Sequence, residues 1–151
     1  MNERVIYQHR QIGWITIAGL LGSVVLVSSL LAWSARSGSE TTAATGVVVL
    51  LLALVTFSTL TVRVTDRSVA WWFGFPVVGR RVALGDIESV AAIKTSIFEG
   101  WGIHLTWHGW VWNISGFNAV QITLRSGTRF AVGTPEPQAV IAAVARARSG
   151  N

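Results

Sequence analysis

Two histidines and four tryptophans crowd into one stretch, EGWGIHLTWHGWVWNIS, residues 99–115. His104 and His108 are metal-ligating residue types, and a run of tryptophans can form an aromatic ligand surface. Spacing decides against the metal. Four residues along an extended strand separate the two imidazoles by roughly 13 Å, too far to share an ion held at about 2 Å. The chain contains no cysteine, and the nearest acid in sequence is Glu99. A metal-dependent enzyme using His104 and His108 is therefore the weakest of the functional readings. Asp86 and Glu88, two apart, suit a solvated strand face better than an acid/base pair. With no glycine loop for phosphate and no nucleophile constellation, catalysis is not expected, and neither is a cofactor.

Four arginines form the other candidate site. Arg63, Arg67, Arg80 and Arg81 fall on short early segments of the second half. From Arg63 onward there are nine basic and five acidic residues, a net of +4. These arginines could bind anionic lipid head groups, each contributing about 1 kcal/mol near a charged surface. Alternatively they only set membrane orientation, the reading favoured here. No basic run exceeds two residues, so nucleic acid is not an expected partner.

The elements that must position these residues begin with two apolar runs. The chain is 151 residues long, 51% hydrophobic and 13% charged. Residues 12–33 carry no charge, and as a helix would run roughly 33 Å, enough to cross a bilayer core. Trp14 and Trp33 would sit at its two interfaces. Residues 46–62, GVVVLLLALVTFSTLTV, read as a second span near the lower length limit. The expected organisation is a cytoplasmic N-terminal segment over 1–11, spans over 12–33 and 46–62, and a short extracytoplasmic loop over 34–45. A cytoplasmic domain follows over 63–151. Arg4, Arg10, Arg63 and Arg67 place both termini in the cytoplasm of a bacterial inner membrane. The length of the first apolar run, with no small-residue cleavage site after it, argues against a signal peptide.

The second half changes to period two. TVRVTDRSVAWWF reads as a hairpin turning at Asp66-Arg67, pairing Val64 with Val69 and Val62 with Trp71. One or two short strands follow in GFPVVGRRVAL, and DIESVAAIK suits a strand or a helix. In the tryptophan stretch, a turn at His108-Gly109 pairs Trp107 with Trp110, Leu105 with Trp112 and Ile103 with Ile114. The tryptophans are then mainly core. A third hairpin pairs Ile122 with Phe130 and Val120 with Val132 around a loop at Arg125–Gly127. A C-terminal amphipathic helix is capped by Thr134, with Pro135 in its first turn and Val140, Ile141 and Val144 on its buried face.

GWGIH (100–104), WNISG (112–116) and VQITLRSGTRFAVGTPEPQAV (120–140) resemble bacterial two-span membrane proteins carrying a C-terminal pleckstrin-homology-like domain. That resemblance implies a bent antiparallel sheet or partial barrel capped by its last helix, without catalytic residues. Such family sequences often hold a basic residue where this chain has His104, which weakens an anion-binding role there. The combined expectation is a non-catalytic, membrane-anchored binding or scaffold module. Its partners would be the lipid bilayer and a protein or peptide met at a sheet edge, with anionic phospholipid recognition as the alternative.

Overall fold

The computed structural model describes residues 3–34, 40–96 and 101–150. Its first element is a strand, β1 (Val5–Ile12), followed by two helices, α1 (Trp14–Ser34) and α2 (Glu40–Phe57). Eight strands and a third helix come next: β2 (Thr59–Thr65), β3 (Ser68–Phe73), β4 (Val78–Ala83), β5 (Ile87–Lys94), β6 (Gly102–Thr106), β7 (Gly109–Asn113), β8 (Asn118–Leu124), β9 (Arg129–Gly133) and α3 (Pro137–Ser149). A 3-10 turn at Leu84–Asp86 links β4 to β5. The strands form one sheet in the order β1-β2-β3-β4 and a second in the order β5-β8-β9-β7-β6.

The β2–β3 hairpin forms because Leu60, Val62 and Val64 alternate with Thr61 and Arg63, and Val69, Trp71 and Phe73 alternate with the less buried Ala70 and Trp72. All six point inward and are buried. Val64 pairs with Val69 and Val62 with Trp71, as the period-two pattern requires. The Thr65 hydroxyl fixes the turn by accepting the backbone N–H of Ser68 at 3.0 Å and of Arg67 at 3.3 Å. The β8–β9 pairing also follows the sequence, with Val120 opposite Val132 and Ile122 opposite Phe130. Between the sheets the core is aromatic: the Trp71 ring lies 5.3 Å from Phe130 and 6.2 Å from Trp112, and Phe73 stacks on Trp112 at 5.8 Å. Helix α3 closes one end with Val140, Ala143, Val144 and Ala147. It begins at Pro137 with Glu136 as N-cap, two residues later than the Thr134 cap expected. The Thr134 hydroxyl instead accepts the Glu136 N–H at 3.2 Å.

The expected fold class is corrected at three points. The N-terminal segment is a strand of the first sheet, since β1 pairs antiparallel with β2 from Val5↔Thr65 to Ile12↔Thr59. The two helices are thus an insertion between neighbouring strands and do not precede the domain. There are two sheets, and they are not wholly antiparallel, because β7 runs parallel to β9 with Trp110, Val111 and Trp112 beside Phe130, Ala131 and Val132. A pleckstrin-homology-like bent sheet following two spans is not the architecture.

The two-span reading is also overturned. Residues 59–62, taken as the end of the second span, belong to β2, where Leu60 and Val62 are core residues. The apolar part of α2 from Gly46 to Phe57 covers only about 18 Å of a core about 30 Å thick. The first turn of α1 is bonded into the sheets: Gly13 N–H donates to the Ser58 carbonyl at 2.9 Å, and the Thr16 hydroxyl donates to the Ile114 carbonyl at 2.6 Å. A Cβ on Gly13 would lie 2.3 Å from Ile114, so this junction admits no side chain. Among the described residues no helix is long and apolar enough to cross a membrane. A multi-pass inner-membrane location, with its membrane and transmembrane-helix assignment and cytoplasmic termini, is therefore not supported. Residues 35–39 of the expected loop lie outside the described residues. Along α1 and α2 large apolar side chains are exposed, Val25, Leu26, Val49 and Leu52 among them.

Strand β1 is tied to the start of α3. The Tyr7 hydroxyl donates to Glu136 Oε2 at 3.1 Å, and His9 Nδ1 lies 3.8 Å from the same oxygen. Burial, reinforced by the hydrogen bond and charge of Glu136, pushes the Tyr7 phenol up to about 12. The folded chain therefore keeps this proton above the ordinary value near 10. The associated stabilisation is complete below about pH 10 and is lost as pH rises through about 12. Tyr7 is the chain's single tyrosine, so tyrosinate absorbance reads it directly. A midpoint near 12 is expected in the folded chain, shifted downward by Glu136→Gln. An ordinary midpoint in folded protein would show that β1 does not dock there.

Candidate functional site

Three of the four candidate arginines, Arg63, Arg80 and Arg81, line one open groove of about 690 Å³ along the first sheet, and Arg67 does not reach it. Arg63 and Arg81 both stand opposite Ala70, on the outer face of the first sheet. Arg63 Nε donates to Gln8 Oε1 at 2.7 Å, and its guanidinium lies 4.9 Å over the Trp72 ring. Arg81 is ion-paired with Glu3 and donates to the Ser68 hydroxyl. The Thr65 hydroxyl, followed by the Arg81 charge, helps hold the Glu3 carboxyl below its ordinary value. Arg67 is exposed in the β2–β3 turn. Arg80 stands opposite Trp71, on the other face of β4. Its guanidinium lies 5.0 Å over the Phe130 ring. Arg63 and Arg81 are thus already engaged, and only Arg80 is directed toward the space between the sheets.

The histidines are separated as strand geometry requires. His104 is paired with Val111 in the middle of β6, and its Nε2 is buried without a hydrogen-bond partner. His108 lies in the following turn, where its Nε2 accepts from Trp107 Nε1 at 3.2 Å. Among the described residues no group of three or more His, Cys, Asp or Glu is placed to hold a metal ion. Glu99 lies outside the described residues.

The hairpin turns one residue earlier than expected, which moves each cross-strand partner by two. Thr106 pairs with Gly109, Leu105 with Trp110 and Ile103 with Trp112. The two-residue loop is therefore Trp107-His108. Gly109, not His108, takes the positive φ, at 90°, and its α-hydrogen faces the Arg129 backbone, where a Cβ would lie 2.2 Å from the carbonyl oxygen. The shift preserves face parity, so the apolar residues still share one side of the hairpin. Only its base is covered, however. Trp112 packs against Trp71 and Phe73, whereas Leu105 is 67%, Trp107 71% and Trp110 45% exposed. The tryptophans of this stretch are thus split between core and surface.

That split creates the site. Strand β4 ends the first sheet and β6 ends the second. Between them lies a pocket of about 240 Å³ lined by Arg80, Ile103, Trp110, Trp112, Thr128 and Phe130. Its floor is the rim of the aromatic core. One wall carries a guanidinium and the other a tryptophan, and the β6 edge continues outward through exposed Leu105 to Trp107. Edge strands present unpaired N–H and C=O groups, so main-chain and side-chain recognition elements lie side by side. Arg80 was legible in the sequence as a candidate, though for lipid head groups. The pocket was not, because it depends on which strands end the two sheets.

No family model, curated protein or solved structure matches the chain. The resemblance to two-span bacterial proteins with a pleckstrin-homology-like domain is accordingly corrected. It rested on turn and strand patterns in Gly100–His104, Trp112–Gly116 and Val120–Val140. Hairpins of this length produce such patterns in many small β structures, and the inserted helices and parallel β7–β9 pair belong to a different arrangement.

Proposed function

We propose that this chain is a non-catalytic binding module that captures an extended segment of a partner protein at the seam between β4 and β6. The observation that carries this reading is the free β6 edge beside a pocket that combines Trp110, Trp112 and Arg80. A peptide adding to β6 gains main-chain hydrogen bonds, places an apolar side chain between the two tryptophans, and brings a neighbouring acidic side chain to Arg80. Tryptophan and arginine are the residue types that dominate interface energetics.

Panning a random peptide library on the full chain tests this. Enriched peptides should alternate apolar and polar residues and carry an acidic position. Trp110→Ala should weaken their binding about thirtyfold, the effect of losing about 2 kcal/mol. Arg80→Ala should weaken it less, and Arg63→Ala plus Arg67→Ala should leave it unchanged. Failure to enrich peptides, or binding indifferent to Trp110, would sink the proposal. If the chain instead bound phosphatidylglycerol vesicles through Arg63 and Arg67, anionic head-group recognition would replace it.

A further inference from the structure

A second cavity lies at the root of the helical pair, where α1 and α2 meet both sheets. It measures about 320 Å³, at the lower end of the range of small-molecule sites. Its lining is uncharged throughout, drawn from α1, α2, β3, β6 and β7 together with Trp101. The polar groups in it are turned toward the protein. The Thr16 hydroxyl is committed to the Ile114 carbonyl, and the Asn113 side-chain nitrogen donates to Thr95 Oγ1 and the Gly116 carbonyl, while its buried Oδ1, which has no hydrogen-bond partner, faces Gly133. Nothing in the lining would compensate a charged or strongly polar ligand for lost hydration.

The cavity also reaches along both helices. Thr16 and Leu20 lie one turn apart on α1, as do Phe57 and Ala53 on α2, so the space runs from the sheets at least about 6 Å along the helices. The small side chain of Ala53 leaves its upper part open. An uncharged cavity of this size, lined mainly by apolar side chains, has room for a single hydrocarbon chain.

We infer that the cavity binds one fatty acyl chain, whose polar end stays outside near Trp101, which is 38% exposed. This site adjoins the β4–β6 seam, sharing Ile103 with it, but does not depend on the function proposed for the seam.

Photolabelling of the full chain with a diazirine derivative of dodecanoic acid, followed by peptide mapping, tests the inference. Label should concentrate on the segments holding Phe57 and Trp101–Ile103 and should saturate. Excess unlabelled dodecanoic acid should reduce it at least tenfold, and so should Ala53→Phe, which fills the upper cavity. The near-UV spectrum of that variant checks that the sheets remain packed, and competition on the unaltered chain stands whether or not the variant folds. Label spread along exposed Leu26 and Leu52 without saturation would overturn the inference, as would undiminished labelling of a folded Ala53→Phe chain.

Discussion

Replacing Trp71 by alanine is expected to cost about 3–5 kcal/mol, lowering the melting temperature by roughly 10–20 °C. Trp71 is fully buried at the centre of β3. It touches Phe130 and Trp112 of the opposite sheet, so its loss opens a void where the sheets meet and no neighbour is free to fill it. The indole Nε1 has no hydrogen-bond partner. Trp71→Phe, which removes that buried donor while keeping most of the ring, should therefore fall well short of the alanine cost. Trp107→Ala is the control: the side chain is exposed in a turn, and the change should stay within about 0.5 kcal/mol. Thermal unfolding followed by near-UV circular dichroism orders the three variants. If Trp107→Ala cost as much as Trp71→Ala, the assignment of core and surface tryptophans would be wrong.

The second large effect concerns the helical insertion. Ile12 and Thr59 are paired neighbours, so residues 13–58 can be replaced by Asn-Gly, the two residues best suited to a tight hairpin turn. The shortened chain is expected to fold with both sheets intact. It loses the Thr16–Ile114 hydrogen bond and the Phe57–Phe73 ring contact at 5.2 Å, together about 1–3 kcal/mol. It also loses most of the exposed apolar surface, and with it the main source of self-association. Sedimentation and circular dichroism check both consequences. An unfolded product would mean that the helices are structural members of the body and not an insertion upon it.

How much of this was legible in the sequence follows from where each signal is local. The β2–β3 and β8–β9 hairpins were readable with their registers because each pairs apolar residues across a short turn. Strand β1 was not, because its inward positions Tyr7, His9 and Gln11 are polar, and its partner lies beyond two helices. The apolar runs were visible, but not that residues 59–62 would serve a strand: valine and threonine suit both, and only pairing with β1 and β3 decides. In the tryptophan hairpin, alternation identified the apolar side. It could not tell that the side would be covered at Trp112 and bare at Trp110, since coverage comes from Trp71 and Phe73 on another sheet. The seam and the acyl cavity are likewise products of tertiary placement, each lined from both sheets.

The pairing of β1 with β2 across the inserted helices has a kinetic consequence. The first strand emerges from the ribosome with no neighbour and must wait while the next 46 residues, Gly13 to Ser58, are made. Closing a flexible loop of that length is entropically slow. Antiparallel association of α1 with α2 converts the task into a local one, because it returns Ser58 to within 2.9 Å of Gly13 before the first sheet need exist. The helical pair is therefore expected to act as a clasp whose closing sets the rate at which the sheet nucleates. Substitutions that loosen α1 against α2 should slow folding of β1–β2 while leaving the unfolding rate of the finished body nearly unchanged.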